Sequence, residues 1–133
     1  MNVATIVVID DEPGMLRTSS RILQRAGHDV VCFDNARNGI DHLRGKAANL
    51  LITDIFMPEM EGLETIKVAH ALRPRMPILA VSGGGSLQNM NYLEFARRFG
   101  AAATLGKPFR PVELLDLVSR LLTASDQASN DAN

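Results

Sequence analysis

Two apolar patterns alternate along this chain. Short continuous runs rich in β-branched residues give way to longer stretches in which apolar positions recur every three to four residues. The first pattern predicts strands buried on both faces and the second predicts amphipathic helices. Strands are expected over residues 4–9, 30–33, 50–53, 78–81 and 102–105. Between them, Pro13 suits the first turn of a helix whose apolar side carries Met15, Leu16, Ile22 and Leu23, with Gly27 as its stop. Asn35 is placed to cap a second helix bearing Ile40 and Leu43, with Gly45 near its end. Residues 57–62 read as a loop punctuated by Pro58 and Gly62. Leu63, Ile66, Ala69 and Leu72 keep helical spacing until Pro74 and Pro77. A fourth helix runs through Tyr92 and Phe95 to about Gly100, and Pro111 opens a fifth with Val112, Leu115, Val118 and Leu122 on one side.

Five β-α units with short connections imply an α/β fold, a five-stranded parallel sheet with helices on both faces. Right-handed crossovers make the doubly wound arrangement the expected one. The expected domain covers residues 1–123. Residues 124–133 are small and polar, without an apolar period, and are expected to be a disordered tail or a severed linker.

Composition narrows the function classes. The chain of 133 residues suits one core, and its net charge of −1 gives no general pull toward nucleic acid or an anionic membrane. Cys32 is the only cysteine, which excludes an internal disulfide and a cysteine-based zinc site. His28, His42 and His70 are scattered without metal-ligand spacing. No apolar stretch is long enough to span a membrane, and no cleavable signal precedes the first strand, so a cytoplasmic location is expected.

The polar residues at the strand ends carry the chemistry. Asp10-Asp11, Asp54, Ser82 and Lys107 each stand at or just past the C-terminal end of a different apolar run. In an open parallel sheet, ligands bind outside the carboxyl ends of the strands. Neighbouring strands would therefore bring three carboxylates, a hydroxyl and an ammonium to one crevice. Carboxylates hold a hard divalent cation, and magnesium suits such a set. Asp54 is a candidate nucleophile able to form an acyl phosphate. Ser82 and Lys107 have the donors for a phosphoryl group, with Pro108 holding Lys107 extended. Each position also has a plain reading. Asp11 and Glu12 favour a helix N-terminus, Asp54 suits a turn, Ser82 before Gly83-Gly84-Gly85 suits a flexible loop, and most lysines are solvated. It is the ordered set of all four that makes independent plain readings improbable. The G-x-x-x-x-G-K-[ST] phosphate loop is absent from the sequence.

With I-V-V-I-D-D-E-P at 6–13, L-L-I-T-D-I-F-M-P-E-M-E-G at 50–62, I-L-A-V-S-G at 78–83 and L-G-K-P-F at 105–109, the chain resembles the receiver domains of two-component response regulators, of the chemotaxis-regulator type. The resemblance covers residues 4 to 122. It implies a flavodoxin-like (CheY-like) three-layer fold with five helices. It implies that Asp54 accepts a phosphoryl group from a sensor histidine kinase or a histidine phosphotransfer protein. Mg2+ would be bound by Asp11, Asp54 and the Phe56 backbone carbonyl, with Asp10 acting mainly through bound water. Lys107 would bridge to the phosphoryl oxygens and Ser82 would receive one of them. The chain would not be an enzyme beyond catalysing its own phosphorylation and dephosphorylation. Its output would pass through the helix 4/strand 5/helix 5 face, where Tyr92, Phe95, Arg97 and Arg98 are candidate contributors, with packing of the aromatic pair against the core as the alternative, to a downstream effector protein or a C-terminal output domain outside this chain. Monomer and phosphorylation-dependent dimer are both compatible with it. No DNA-reading element fits in the remaining residues.

One departure from the family pattern is Thr104, which occupies the position where an aromatic ring usually rotates inward. Switching is then expected to run through Ser82 and the glycine loop without ring burial. Phe56 and Gly84 sit where the family tunes phosphoryl lifetime. Two rival classes fit the sequence less well. A hydrolase of the haloacid dehalogenase kind needs Asp-x-Asp after the first strand, which Asp10-Asp11-Glu12 does not supply. A receiver fold kept only as an interaction module is disfavoured by the presence of every acidic and basic site residue.

Overall fold

The structure, a computed structural model, describes residues 4–55, 62–83 and 94–131. Five strands form one parallel sheet: β1 (Thr5–Ile9), β2 (Asp29–Phe33), β3 (Leu50–Asp54), β4 (Ile78–Ser82) and β5 (Ala103–Gly106), in the order β2-β1-β3-β4-β5. The helices are α1 (Pro13–Arg25), α2 (Ala36–Gly45), α3 (Gly62–Leu72), α4, described over residues 94–99, and α5 (Pro111–Asp131). The arrangement is the expected doubly wound sheet, and its order is that of the flavodoxin-like fold.

Alternation along the strands divides the apolar residues between two layers. Val7, Ile9, Leu51, Ile55, Ile78 and Ala80 face Ile40 and Leu43 of α2, Ile66 and Ala69 of α3, and Ala96 of α4. Ile6, Val8, Leu50, Ile52, Leu79 and Val81 face Leu23 of α1 and Leu114, Val118 and Leu122 of α5. Every residue of β3 and β4 is buried, so the two strands that end in Asp54 and Ser82 form the rigid middle of the domain. Truncating one of their large side chains, Leu51→Ala for example, should cost about 2–5 kcal/mol.

The helix boundaries have local causes. Pro13 stands in the first turn of α1. Beyond its end Gly27 has φ +95°, a left-handed turn that glycine adopts without steric cost. The Asn35 side chain accepts a hydrogen bond from the Asn38 N–H at 2.8 Å and caps α2 as expected.

The structure differs from the sequence reading at the C-terminus. α5 continues to Asp131, past the boundary expected at residue 123, so the backbone of residues 124–131 is helical. Propagating a helix that is already nucleated and packed through Leu122 fixes one residue per hydrogen bond gained, and it needs no apolar period. Among the described residues, no helix is long and apolar enough to cross a membrane.

Candidate functional site

The sheet order reverses direction between β1 and β3, the switch point at which open α/β sheets form a ligand crevice beyond the carboxyl ends of their strands. Asp10 follows β1 directly, and its N–H still donates to the Phe33 carbonyl of β2 at 3.1 Å. Its side chain is then turned inward, 4% exposed. Asp10 Oδ1 accepts the Glu12 N–H at 3.0 Å, so the carboxylate also shapes the turn into α1. Asp11 is exposed at the rim. Asp54 is the last residue of β3 and is 6% exposed. Asp10, Asp11 and Asp54 present ligand oxygens that all lie within 4.8 Å of one another.

Lys107 enters from the far side. Its N–H donates to the Ser82 carbonyl at 2.8 Å, which extends the pairing of β5 with β4 to the edge of the crevice. From there Nζ lies 2.8 Å from Asp10 Oδ2 and 3.1 Å from Asp54 Oδ2, with the lysine side chain only 9% exposed. Burial alone would lower the Lys107 pKa. The hydrogen bond to Asp10 and the charges of Asp54 and Asp10 outweigh it, and the net direction is upward. The peptide bond from Lys107 to Pro108 is cis. Gly83 makes this approach possible. A Cβ built on it would stand 2.9 Å from Lys107 Cδ.

Ser82 ends β4 beside these groups and is 2% exposed. Its Oγ is buried without a hydrogen-bond partner among the described residues. A buried hydroxyl left unpaired is costly, which fits a group that gains its partner from a ligand.

Among the described residues the cluster gathers three carboxylates and one ammonium, which pairs with Asp10 and Asp54, so these groups keep an excess of negative charge where two of the three carboxylates are nearly buried. Like charges so close demand a further cation, and an all-oxygen set fits a hard divalent ion. The Phe56 carbonyl expected to join this set, together with Gly84 and Tyr92, lies outside the described residues. The three histidines play structural parts instead. His28 Nδ1 accepts the Ala4 N–H at 3.2 Å, the His42 ring packs on Phe33 with centroids 5.2 Å apart, and His70 lies against Gly100. Cys32 is exposed on the edge strand β2, away from the crevice.

A family model, the response regulator receiver domain, matches residues 6–119. The chain belongs to the response regulator receiver family. Phosphorylation-activated signalling is the general function of receiver domains, which are signalling modules rather than ordinary enzymes. This receiver is 32% identical over 120 residues to the response regulator receiver protein CpdR of Brucella abortus, covering 90% of this chain and 98% of that protein. It is 30% identical over 129 residues to the response regulator protein TodT of Pseudomonas putida, covering 97% of this chain and 56% of TodT. The chain thus spans nearly all of one curated relative and about half of another. A CheY-like receiver domain protein from Methanospirillum hungatei superposes with a TM-score of 0.87 at 31% identity, covering 96% of this chain and 99% of that one.

Two features of the receiver site were not visible in the sequence. Asp10 is the nearest partner of Lys107, and Gly83 is the backbone over which the lysine stem passes. Both depend on which strands become neighbours, and apolar runs do not encode that.

Proposed function

We propose that this receiver accepts a phosphoryl group on Asp54 from a phosphohistidine of a sensor kinase or histidine phosphotransfer protein, in the presence of Mg2+. The observation that carries the reading is the Asp54 carboxylate at the end of β3, with the Lys107 ammonium 3.1 Å from its Oδ2 and two further carboxylates beside it. A carboxylate oxygen of Asp54 attacks phosphorus and forms the P–O bond of an acyl phosphate. The P–N bond breaks, and the imidazole nitrogen leaves with the electron pair and takes a proton from solvent. Asp10, Asp11 and Asp54 are the residues that would hold Mg2+, with the Phe56 carbonyl implied as a further ligand. When bound, the ion neutralises the negative charge of the incoming phosphoryl group. Lys107 exchanges a carboxylate for a phosphoryl oxygen, and the buried Ser82 hydroxyl donates to another.

These exchanges link chemistry to output. Lys107 follows β5 and Ser82 precedes the segment leading to α4, so both feed one surface. Phe95 is 44% exposed, Phe99 38% and Val112 61% on α4 and α5, and the Arg98 guanidinium lies 5.7 Å from the Phe95 ring centroid. Exposed apolar side chains on these two helices suit contact with a protein partner, either a downstream effector or a C-terminal output domain outside this chain. With Thr104 on β5, the change reaches that surface through Ser82 rather than through a rotating ring.

The deciding experiment is intact mass after incubation with acetyl phosphate and Mg2+, beside Asp54→Asn. The mass of one phosphoryl group gained by the wild type alone supports the assignment. No adduct in either protein would leave a phosphorylation-independent interaction module.

A further inference from the structure

A second cavity lies at the opposite end of the sheet. It has a volume of about 440 Å³ and is formed by the turns that lead into β3 and β4 together with the later part of α5. That volume falls within the range of about 300–1,000 Å³ usual for small-molecule sites. Ala47, Leu72, Pro74, Met76 and Leu122 give it apolar walls.

The walls are held by hydrogen bonds rather than by packing alone. The Asn49 side chain accepts the Thr5 N–H at 2.8 Å, and the Asn49 N–H donates to the Thr5 carbonyl at 2.8 Å. Arg73 Nε donates to the Leu43 carbonyl at 2.9 Å, and the Ser125 hydroxyl donates to the Arg75 carbonyl at 3.4 Å. The site is therefore formed in advance of any ligand, which limits the ordering cost of binding.

Its charge is one-sided. Arg73 and Arg75 both line it, and no Asp or Glu does so among the described residues. Neither guanidinium has a carboxylate partner among the described residues; the same holds for Arg17, Arg21, Arg25, Arg37 and Arg97, and what sets Arg73 and Arg75 apart is that both line one cavity. Guanidinium groups favour carboxylate, sulfonate or phosphate in a forked geometry.

We propose that this cavity binds a small organic anion with an apolar body, seated on the apolar walls with its charged group at Arg73 and Arg75. The site is separate from the crevice at Asp54 and does not rest on phosphorylation. Because Leu122 and Ser125 belong to α5, an occupant would also brace that stretch of the helix.

The test uses the full chain and two dyes of matched shape, the anionic anilinonaphthalene sulfonate and the neutral N-phenyl-naphthylamine. Binding is followed by fluorescence and by amide chemical shifts. The expected result is one saturable site for the anionic dye, with shifts clustered on residues 47–49, 72–76 and 122–125. Arg75→Gln should weaken it roughly tenfold, as loss of a charge-assisted hydrogen bond implies. The neutral dye should bind more weakly by a similar factor, and Ala47→Phe should close the site. Shifts centred on Phe95 and Phe99, or the absence of saturation, would overturn the proposal. Equal affinity for the two dyes would reject the anion assignment without needing any variant. Arg75→Gln should still take up phosphoryl from acetyl phosphate like the wild type, which separates this site from the one at Asp54.

Discussion

Lys107 Nζ and Asp54 Oδ2 lie 3.1 Å apart although 53 residues separate them in sequence. β4 stands between their strands, so the lysine reaches across a neighbour to meet the carboxylate. Both side chains are nearly buried, and Asp10 shares the same ammonium at 2.8 Å. Removing the cation deprives two nearly buried carboxylates of their ammonium partner, an effect that costs about 3–5 kcal/mol in such places. Lys107→Met should therefore lower the unfolding free energy by about 3 kcal/mol in metal-free buffer. Mg2+ should recover more of the loss in the variant than it adds to the wild type. Urea unfolding of both proteins with and without the ion measures this, and equal metal-free stability would count against the ion pair.

The same pair sets a pH dependence. The Lys107 pKa is raised above its ordinary value of 10.5 in the folded protein. The unfolded chain thus loses this proton at lower pH than the folded one. The stabilisation is fully present below the unfolded value and disappears as pH rises through the higher folded value. Wild type should lose stability relative to Lys107→Met only in the alkaline range beyond about 10.5, with a constant difference at neutral pH. Parallel unfolding series at neutral and strongly alkaline pH would reveal it. A gap that does not narrow at high pH would mean that the pair is not the source.

Asp11 differs from its two neighbours in being exposed, and none of its side-chain hydrogen bonds appears among the described residues. In the metal-free protein it contributes mainly repulsion toward Asp10 and Asp54. Asp11→Asn should raise the thermal midpoint at low ionic strength without Mg2+. It should also remove most of the midpoint increase that Mg2+ gives the wild type, because stabilisation by a ligand follows its affinity for the folded state. A midpoint that falls in metal-free buffer would show that Asp11 is held by contacts of its own.

The strands were legible because a parallel sheet covered on both faces demands unbroken apolar runs, and residues 6–9, 50–52 and 78–81 are such runs. Their polar ends were equally plain, since Asp54 and Ser82 interrupt those runs. Contacts between distant segments were not legible. Nothing local says that Lys107 meets Asp10, that Ser82 Oγ stays without a partner among the described residues, or that Gly83 lies under the lysine stem. The continuation of α5 was not legible either. Residues 124–131 have helical backbone but no apolar stripe for periodicity to detect.

The Ser82 hydroxyl offers a test of resting against activated roles. Its buried Oγ has no partner among the described residues, so deleting it removes an unsatisfied group rather than a bond. Ser82→Ala should change metal-free stability by less than about 1 kcal/mol, in the stabilising direction. After acetyl phosphate treatment, the variant should show much smaller amide shifts over residues 94–99 than the wild type. Loss of several kcal/mol in the resting protein would instead reveal a bond that the hydroxyl already makes.

Gly83→Ala tests how tightly the lysine is aimed. A Cβ there meets Lys107 Cδ at 2.9 Å and Lys107 Cβ at 3.5 Å, too close for the stem to keep its path. The ammonium must then shift away from Asp10 or Asp54, and overpacking of this kind costs about 1–3 kcal/mol. Phosphoryl uptake from acetyl phosphate should slow several-fold because the counter-charge is displaced. Gly45→Ala is the matched control, since a Cβ at the end of α2 meets nothing within 4 Å. That variant should gain about 0.4–1 kcal/mol from reduced freedom of the unfolded chain. Comparing the two cancels the unfolded-state effect, leaving the contact with Lys107 as the difference. Equal stability changes and equal phosphorylation rates at the two positions would show that the lysine accommodates the methyl group freely.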